Sequence, residues 1–338
     1  MSVAVVVHAA GDLRLDPVPE QEPGPHDAVV AVEYGGICGS DLSYLRHGAS
    51  GLSVLRDPLV LGHEVAGRIA ALGEAVTGFE VGQRVAVHPA TVCGRCAHCT
   101  EGRPNLCESV RYLGSAASRP HTQGAFSART VVPAGQLRAV PEGVSTRQAA
   151  VAEPLGVAIH AVSRAGDVRG RTVLVNGAGP IGALVVAAAR RAGAARVIAA
   201  DLAPASLEVA RRMGAHEAVD LSGGAALPEA EVVFEASGAP AAVTAVLRAV
   251  RRGGTVVQVG NLPAGDIPVS LGALVFREVD YRGTFRFVDE MAAALQYLAD
   301  GLDVGPLLTH EFAAEDAVEA FRVAGDRRTG SSKVLLRF

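Results

Sequence analysis

Residues 172–201 read TVLVNGAGPIGALVVAAARRAGAARVIAAD. An apolar run enters the glycine turn Gly177-Ala178-Gly179-Pro180-Ile181-Gly182, a helical pattern leaves it, and a second apolar run ends on Asp201. The three glycines do different things. The first permits the tight turn, the second admits a pyrophosphate to the backbone amides, and the third lets helix pack on strand. The helix N-terminus then faces the negative charge. Asp201 follows Gly182 by nineteen residues, where a carboxylate accepts hydrogen bonds from an adenosine ribose and repels a 2′-phosphate. The turn therefore predicts NAD as the preferred dinucleotide, with NADP possible. Arg211 and Arg212, further along on a helical stretch, read as solvated charges. The loops Ser237-Gly238 and Val259-Gly260-Asn261 follow later strands and are expected at the nicotinamide half.

Outward from this turn, residues 149–283 alternate short apolar runs with longer helical patterns: RVIAAD, PASLEVARRMG, EVVFEAS, AAVTAVLRAVRRGG, TVVQVG. That rhythm predicts an α/β domain with a doubly wound parallel sheet, over 151–285. Residues 1–150 differ, with short valine-rich runs separated by glycine and proline, as expected of a partly closed β-barrel with long loops. The segment 286–338 carries a helix near 289–299 and ends in KVLLRF, read as a strand returning to the first domain.

Of the 338 residues, 49% are hydrophobic and 20% charged, the net charge is −4, and no run of five like charges occurs. Neither nucleic acid nor an anionic membrane is an expected partner; a small molecule is. The N-terminal apolar run lacks a basic leader and reads as a first strand. The apolar helices fall short of the roughly 20 residues a bilayer requires, so a cytoplasmic protein is expected.

In that reducing compartment the crowded CGRCAHCTEGRPNLC, residues 93–107, points to metal and not to disulfides. Cys93, Cys96, Cys99 and Cys107 have the spacing C-x2-C-x2-C-x7-C, suited to a closed four-thiolate zinc site within a lobe at 88–110. His98 could replace one thiolate, and an iron-sulfur cluster would use the same donors. A closed zinc site cannot activate a substrate, so the chemistry lies elsewhere. The fifth cysteine, Cys38, lies in GGICGSD, and the pair His63-Glu64 lies within apolar PLVLGHEVAG. Cysteine, imidazole and carboxylate would make an open zinc site, although a lone Cys38 also reads as a small buried hydrophobe.

Gly62-His63-Glu64-x2-Gly67-x5-Gly73-x2-Val76, followed by the cysteine lobe and GAGPIG, resembles the zinc-containing alcohol dehydrogenases of the medium-chain dehydrogenase/reductase superfamily over essentially the whole chain. The resemblance implies a GroES-like catalytic domain, a Rossmann domain, two zinc ions per chain and a homodimer or homotetramer. It makes Cys38, His63 and Glu64 the catalytic zinc ligands. Glu153, in AEPLGVAIH, stands where simple alcohol dehydrogenases have cysteine and the polyol dehydrogenase branch has glutamate; it is implied as a residue that holds water or a substrate hydroxyl.

Within the branch, residues 110–127, 152–161 and 283–287 and the closing RVAGDRRTGSSKV are most similar to the L-idonate 5-dehydrogenases. The expected reaction is hydride transfer from a secondary hydroxyl of a sugar acid to NAD(P). A sorbitol- or xylitol-type polyol dehydrogenase is the alternative, and an inactive cofactor-binding family member the alternative of another class. Arg286 matches a substrate-binding arginine of the branch, with Tyr44, Arg111 and Arg119 as further candidates. Ser40 matches the hydroxyl that takes the substrate proton. The family's relay histidine is replaced by Ser43, so the proton is expected to leave through His47 or through water.

Overall fold

The structure is a computed structural model and describes residues 2–338. The chain forms two compact units: one comprises the residues up to Glu153 with Met291–Leu302 and Leu308–Phe338, the other Pro154–Glu290 with Asp303–Leu307.

The second unit is built on six parallel strands in the spatial order Glu217–Asp220, Arg196–Asp201, Thr172–Asn176, Ala230–Glu235, Val250–Gln258, Asp280–Gly283. Counted from the first of them in the chain, the order is 3-2-1-4-5-6, the doubly wound arrangement with its switch point between the first and fourth strands. Strands 172–176 and 230–235 are buried at nearly every position. Successive side chains point to opposite faces, so both faces of the sheet are covered. Leu174, Ile198, Val233 and Val256 meet Val246 and Leu247 of the helix Pro240–Ala249 in the core. That helix stops short of the arginines expected to extend it. Val250 is β-branched and fully buried opposite Ala230, and the strand begins there.

In the first unit the long strand Asp27–Gly36 organises a seven-stranded sheet. Glu64–Leu72 runs antiparallel along one edge of it. The other edge is shared: Arg129–Pro133 pairs with residues 27–31, and the C-terminal strand Lys333–Arg337 pairs with residues 34–36. Gly36 thus lies opposite both Glu64 and Leu335, which brings the end of the chain beside the GHE segment. Fully buried Val30, Leu59, Leu61, Val85, Val87 and Phe126 fill the core. Phe126 meets Phe321 edge to face at 6.5 Å, and truncating a ring so placed costs about 3–5 kcal/mol. Among the described residues no helix is long and apolar enough to cross a membrane.

Candidate active site and metal centres

The glycine turn has the geometry its sequence requires. Gly177 has φ +92°, and a Cβ there would stand 2.5 Å from Ser237 N. A Cβ on Gly182 would meet Gly177 O at 1.8 Å, whereas one on Gly179 would meet nothing within 4 Å. The open middle position faces the start of the helix Pro180–Arg191, with Pro180 at its first turn, where a phosphate would gain amide donors. Asp201 accepts from Ala178 N at 2.6 Å and from Ala203 N at 2.8 Å. Each carboxylate oxygen keeps one acceptor direction for a ribose hydroxyl. Leu202, the next residue, is exposed and offers no cation to a 2′-phosphate, and Arg211 pairs with Glu208 on the surface.

All five thiols of the chain are free, and in the cysteine lobe the four donors converge within 4.8 Å of one another. The Sγ separations are 4.0 Å for Cys93–Cys99 and 3.5 Å for Cys93–Cys107. Thiolates at the usual zinc distance form a tetrahedron with edges of about 3.8 Å, so these values suit a shared ion and are far too long for a disulfide. Hydrogen bonds from backbone amides, those at Arg95 and Cys96 foremost, lower the Cys93 thiol to about 6, while burial pushes Cys99 up to about 12. His98 is not among the converging donors.

The second cluster is assembled from distant segments. Cys38 precedes the helix Gly39–His47, His63 and Glu64 enter the strand Glu64–Leu72, and one donor atom from each lies within 4.8 Å of the others. The Glu64 carboxylate needs Gly36 opposite it, because a Cβ there would stand 2.3 Å from Oε2. Asp41, fully buried on the same helix, accepts from Cys38 N at 2.9 Å and Gly62 N at 3.4 Å. Its Oδ1 lies 3.9 Å from His63 Nδ1, a buried atom with no hydrogen-bond partner. Lys333 donates to both Glu64 oxygens at 2.8 and 2.7 Å and to Ile37 O at 3.0 Å. Glu153 accepts from the Tyr112 hydroxyl at 2.5 Å, and the Tyr112 ring meets His63 edge on at 5.6 Å.

Three buried carboxylates and a thiol therefore crowd one imidazole and one ammonium. Burial raises Asp41 above the usual carboxylate range and pushes Glu153 up to about 7, with Glu64 adding to the latter. Burial alone would depress His63 and Lys333, yet Cys38 and Asp41 lift the imidazole well above its ordinary value, and Glu64 and Cys38 raise the ammonium. A thiol, an imidazole and a carboxylate that converge amid excess anionic groups are the donor set of a divalent cation.

Asp41, Tyr112 and Lys333 do not stand out in the sequence. Asp41 has a signal there, an acid three residues after Cys38 in a capping position; Lys333 has none, since only sheet pairing brings it across 269 residues. Ser40 is half-buried in the first helical turn. Ser43 donates to Ala49 O at 2.7 Å, and His47 is exposed at the end of that helix. Tyr44 is buried, its hydroxyl accepting from Ala116 N at 3.0 Å. Arg111 is exposed and donates to Ser118 Oγ and Pro120 O, and Arg119 faces Asp57 at 3.5 Å. Arg286 belongs to the second unit, at φ +53°, its guanidinium 4.7 Å above the Phe285 ring.

A barrel-type sheet domain bearing a Cys-His-Glu cluster and a four-cysteine lobe, in one chain with a doubly wound dinucleotide unit, defines a zinc-dependent dehydrogenase. Residues 24–142 match the alcohol dehydrogenase GroES-like domain and residues 180–300 the zinc-binding dehydrogenase domain. The chain belongs to the zinc-containing alcohol dehydrogenase family of the medium-chain superfamily, in its polyol dehydrogenase branch. It is 35% identical to sorbitol dehydrogenase of Bacillus subtilis (strain 168), covering 98% of this chain and 96% of that one. With L-idonate 5-dehydrogenase (NAD(P)(+)) of Escherichia coli (strain K12) it shares 38% identity over 92% and 91%. The crystal structure of L-idonate 5-dehydrogenase from E. coli K-12 superposes with a TM-score of 0.91 at 36% identity, covering 100% and 98%.

Proposed function

We propose that this enzyme oxidises a secondary hydroxyl of a sugar acid with NAD, L-idonate to 5-dehydro-D-gluconate being the substrate and product the reading favours. The observation that carries the polyol-type reading is Glu153 beside Cys38, His63 and Glu64: a buried carboxylate, not a fourth ligating thiol, borders the cluster. Cys38, His63 and Glu64 would hold one zinc and the four-cysteine lobe a second. Zinc at the first site supplies a Lewis acid that brings the pKa of a bound hydroxyl into the neutral range.

The chain's own groups do the rest. Asp41 fixes the Cys38 and Gly62 amides and stands behind His63. Lys333 holds Glu64 and balances its charge. Tyr112 orients Glu153, which holds a water or substrate hydroxyl by hydrogen bonding. Ser40 takes the proton from the substrate hydroxyl, and with Ser43 committed to Ala49 O that proton leaves through water or His47. Gly179 and the helix start behind it receive the pyrophosphate, Gly177 and Gly182 shape the turn, and Asp201 receives the ribose. Arg286 offers the aldonate carboxylate a bidentate partner.

A neutral hexitol or pentitol is the second reading, favoured by the 35% identity to a sorbitol dehydrogenase. The exposed edge strand Asp280–Gly283, with Val275 and Phe276 exposed nearby, supports pairing into a homodimer or homotetramer. The test is kcat/KM for L-idonate, D-gluconate, sorbitol, xylitol and L-threonine with NAD and with NADP. Preference for L-idonate with NAD is the expected result; faster turnover of sorbitol or xylitol would overturn the sugar-acid assignment.

A further inference from the structure

Glu235 ends the fourth strand of the parallel sheet, beside the switch point, and its exposure is 0%. Every group that meets its carboxylate donates. Oε1 accepts from Ser237 N at 2.9 Å, from the Ser237 hydroxyl and from Asn176 Nδ2 at 3.4 Å. Oε2 accepts from Gln258 Nε2 at 2.6 Å and Gly238 N at 3.2 Å. The Glu235 carbonyl accepts from Val259 N and Gly260 N, each at 2.8 Å. Gln258 extends the chain of bonds, donating to Gly260 O at 2.7 Å and accepting from the Tyr281 hydroxyl at 2.7 Å. Glu235 thus ties together the ends of three adjacent strands and both loops that follow two of them, and Gln258 carries the network to a fourth strand. The loops touch: a Cβ on Gly260 would lie 2.3 Å from Gly238 N, and one on Gly238 would lie 2.5 Å from Asn261 O.

No lysine or arginine is among these partners, so the network is built to satisfy a carboxylate by hydrogen bonds alone. An apolar side chain at this depth would avoid the cost of removing a carboxylate from water. What the carboxylate provides instead is a fixed position for Ser237-Gly238 and Val259-Gly260. These loops lie at the carboxyl ends of the strands across the switch point from Asp201, where the nicotinamide half of a dinucleotide is received.

We propose that Glu235 is the positioning residue for the nicotinamide end of the cofactor, acting through these two loops and not by touching the cofactor. The assignment rests on the dinucleotide reading of the fold. Glu235→Gln keeps the shape but turns an amide toward donors on one side or the other, so the loops lose their common anchor. Gln258→Leu removes one link and leaves Glu235 in place.

The test compares NADH with ADP-ribose, which lacks the nicotinamide, by isothermal titration of the zinc-loaded enzyme and its variants. Glu235→Gln is expected to raise the NADH Kd by about tenfold, the loss of one hydrogen bond to a charged group, and to leave the ADP-ribose Kd within about twofold. Gln258→Leu is expected to act in the same direction by about threefold, a weaker neutral-bond loss, and decides the matter if Glu235→Gln does not fold. Equal weakening of both ligands would make Glu235 a general stabiliser of the unit and overturn the assignment, as would unchanged NADH binding. A parent enzyme that binds neither ligand would instead overturn the dinucleotide reading.

Discussion

Lys333→Met tests whether the C-terminal strand completes the catalytic cluster. Lys333 and Glu64 are 3% and 1% exposed at their side chains and joined by two bonds of 2.7 and 2.8 Å. Methionine fills the same volume but leaves the Glu64 carboxylate without its counter-charge. Breaking one side of a buried ion pair costs about 3–5 kcal/mol. At about 2–4 °C per kcal/mol for a unit of this size, the melting temperature should fall by about 6–20 °C. The loss should be largest after zinc is stripped, since a bound cation would neutralise Glu64 in its turn. The double variant Lys333→Met/Glu64→Gln, with neither charge, should recover most of the stability while losing metal from the catalytic site. Calorimetric melts of the parent, the two single variants and the double variant, each with and without chelator, supply the comparison. A fall of less than about 2 °C for Lys333→Met in stripped protein, or no recovery in the double variant, would refute the reasoning.

Three further outcomes are expected. Glu153 has a folded-state value of about 7 against an ordinary 4.5, so its contribution to stability is complete below about 4.5 and is lost as pH rises through about 7; melts of stripped Glu153→Gln should vary less over that window than the parent. Asp201→Ser removes the charge proposed to face a ribose 2′-position and should raise the NADP-to-NAD ratio of kcat/KM by about tenfold or more, read from initial rates. Cys96→Ser should reduce zinc by one equivalent per chain in native mass spectrometry and lower the melting temperature, while substrate selectivity among alcohols stays unchanged because the closed lobe offers no position to a substrate.

Local chemistry is legible in the sequence wherever the interacting residues lie close in the chain. The turn Gly177–Gly182 needs only its own glycines and the helix behind them, and the four-cysteine lobe spans fifteen positions, so spacing alone foretells both. Strand and helix alternation likewise implies the parallel sheet. The partners of the catalytic cluster are not legible in this way. Lys333 reaches Glu64 because the last strand pairs beside Gly36, Tyr112 reaches Glu153 across 41 residues, and, away from that cluster, Glu235 gathers donors from two other strands. A buried charge becomes tolerable only when the folded chain surrounds it with compensating groups. Sequence therefore determined which donors exist and which short motifs they form, whereas sheet register decided which charges are paired, because long-range pairing sets distances that linear spacing does not contain.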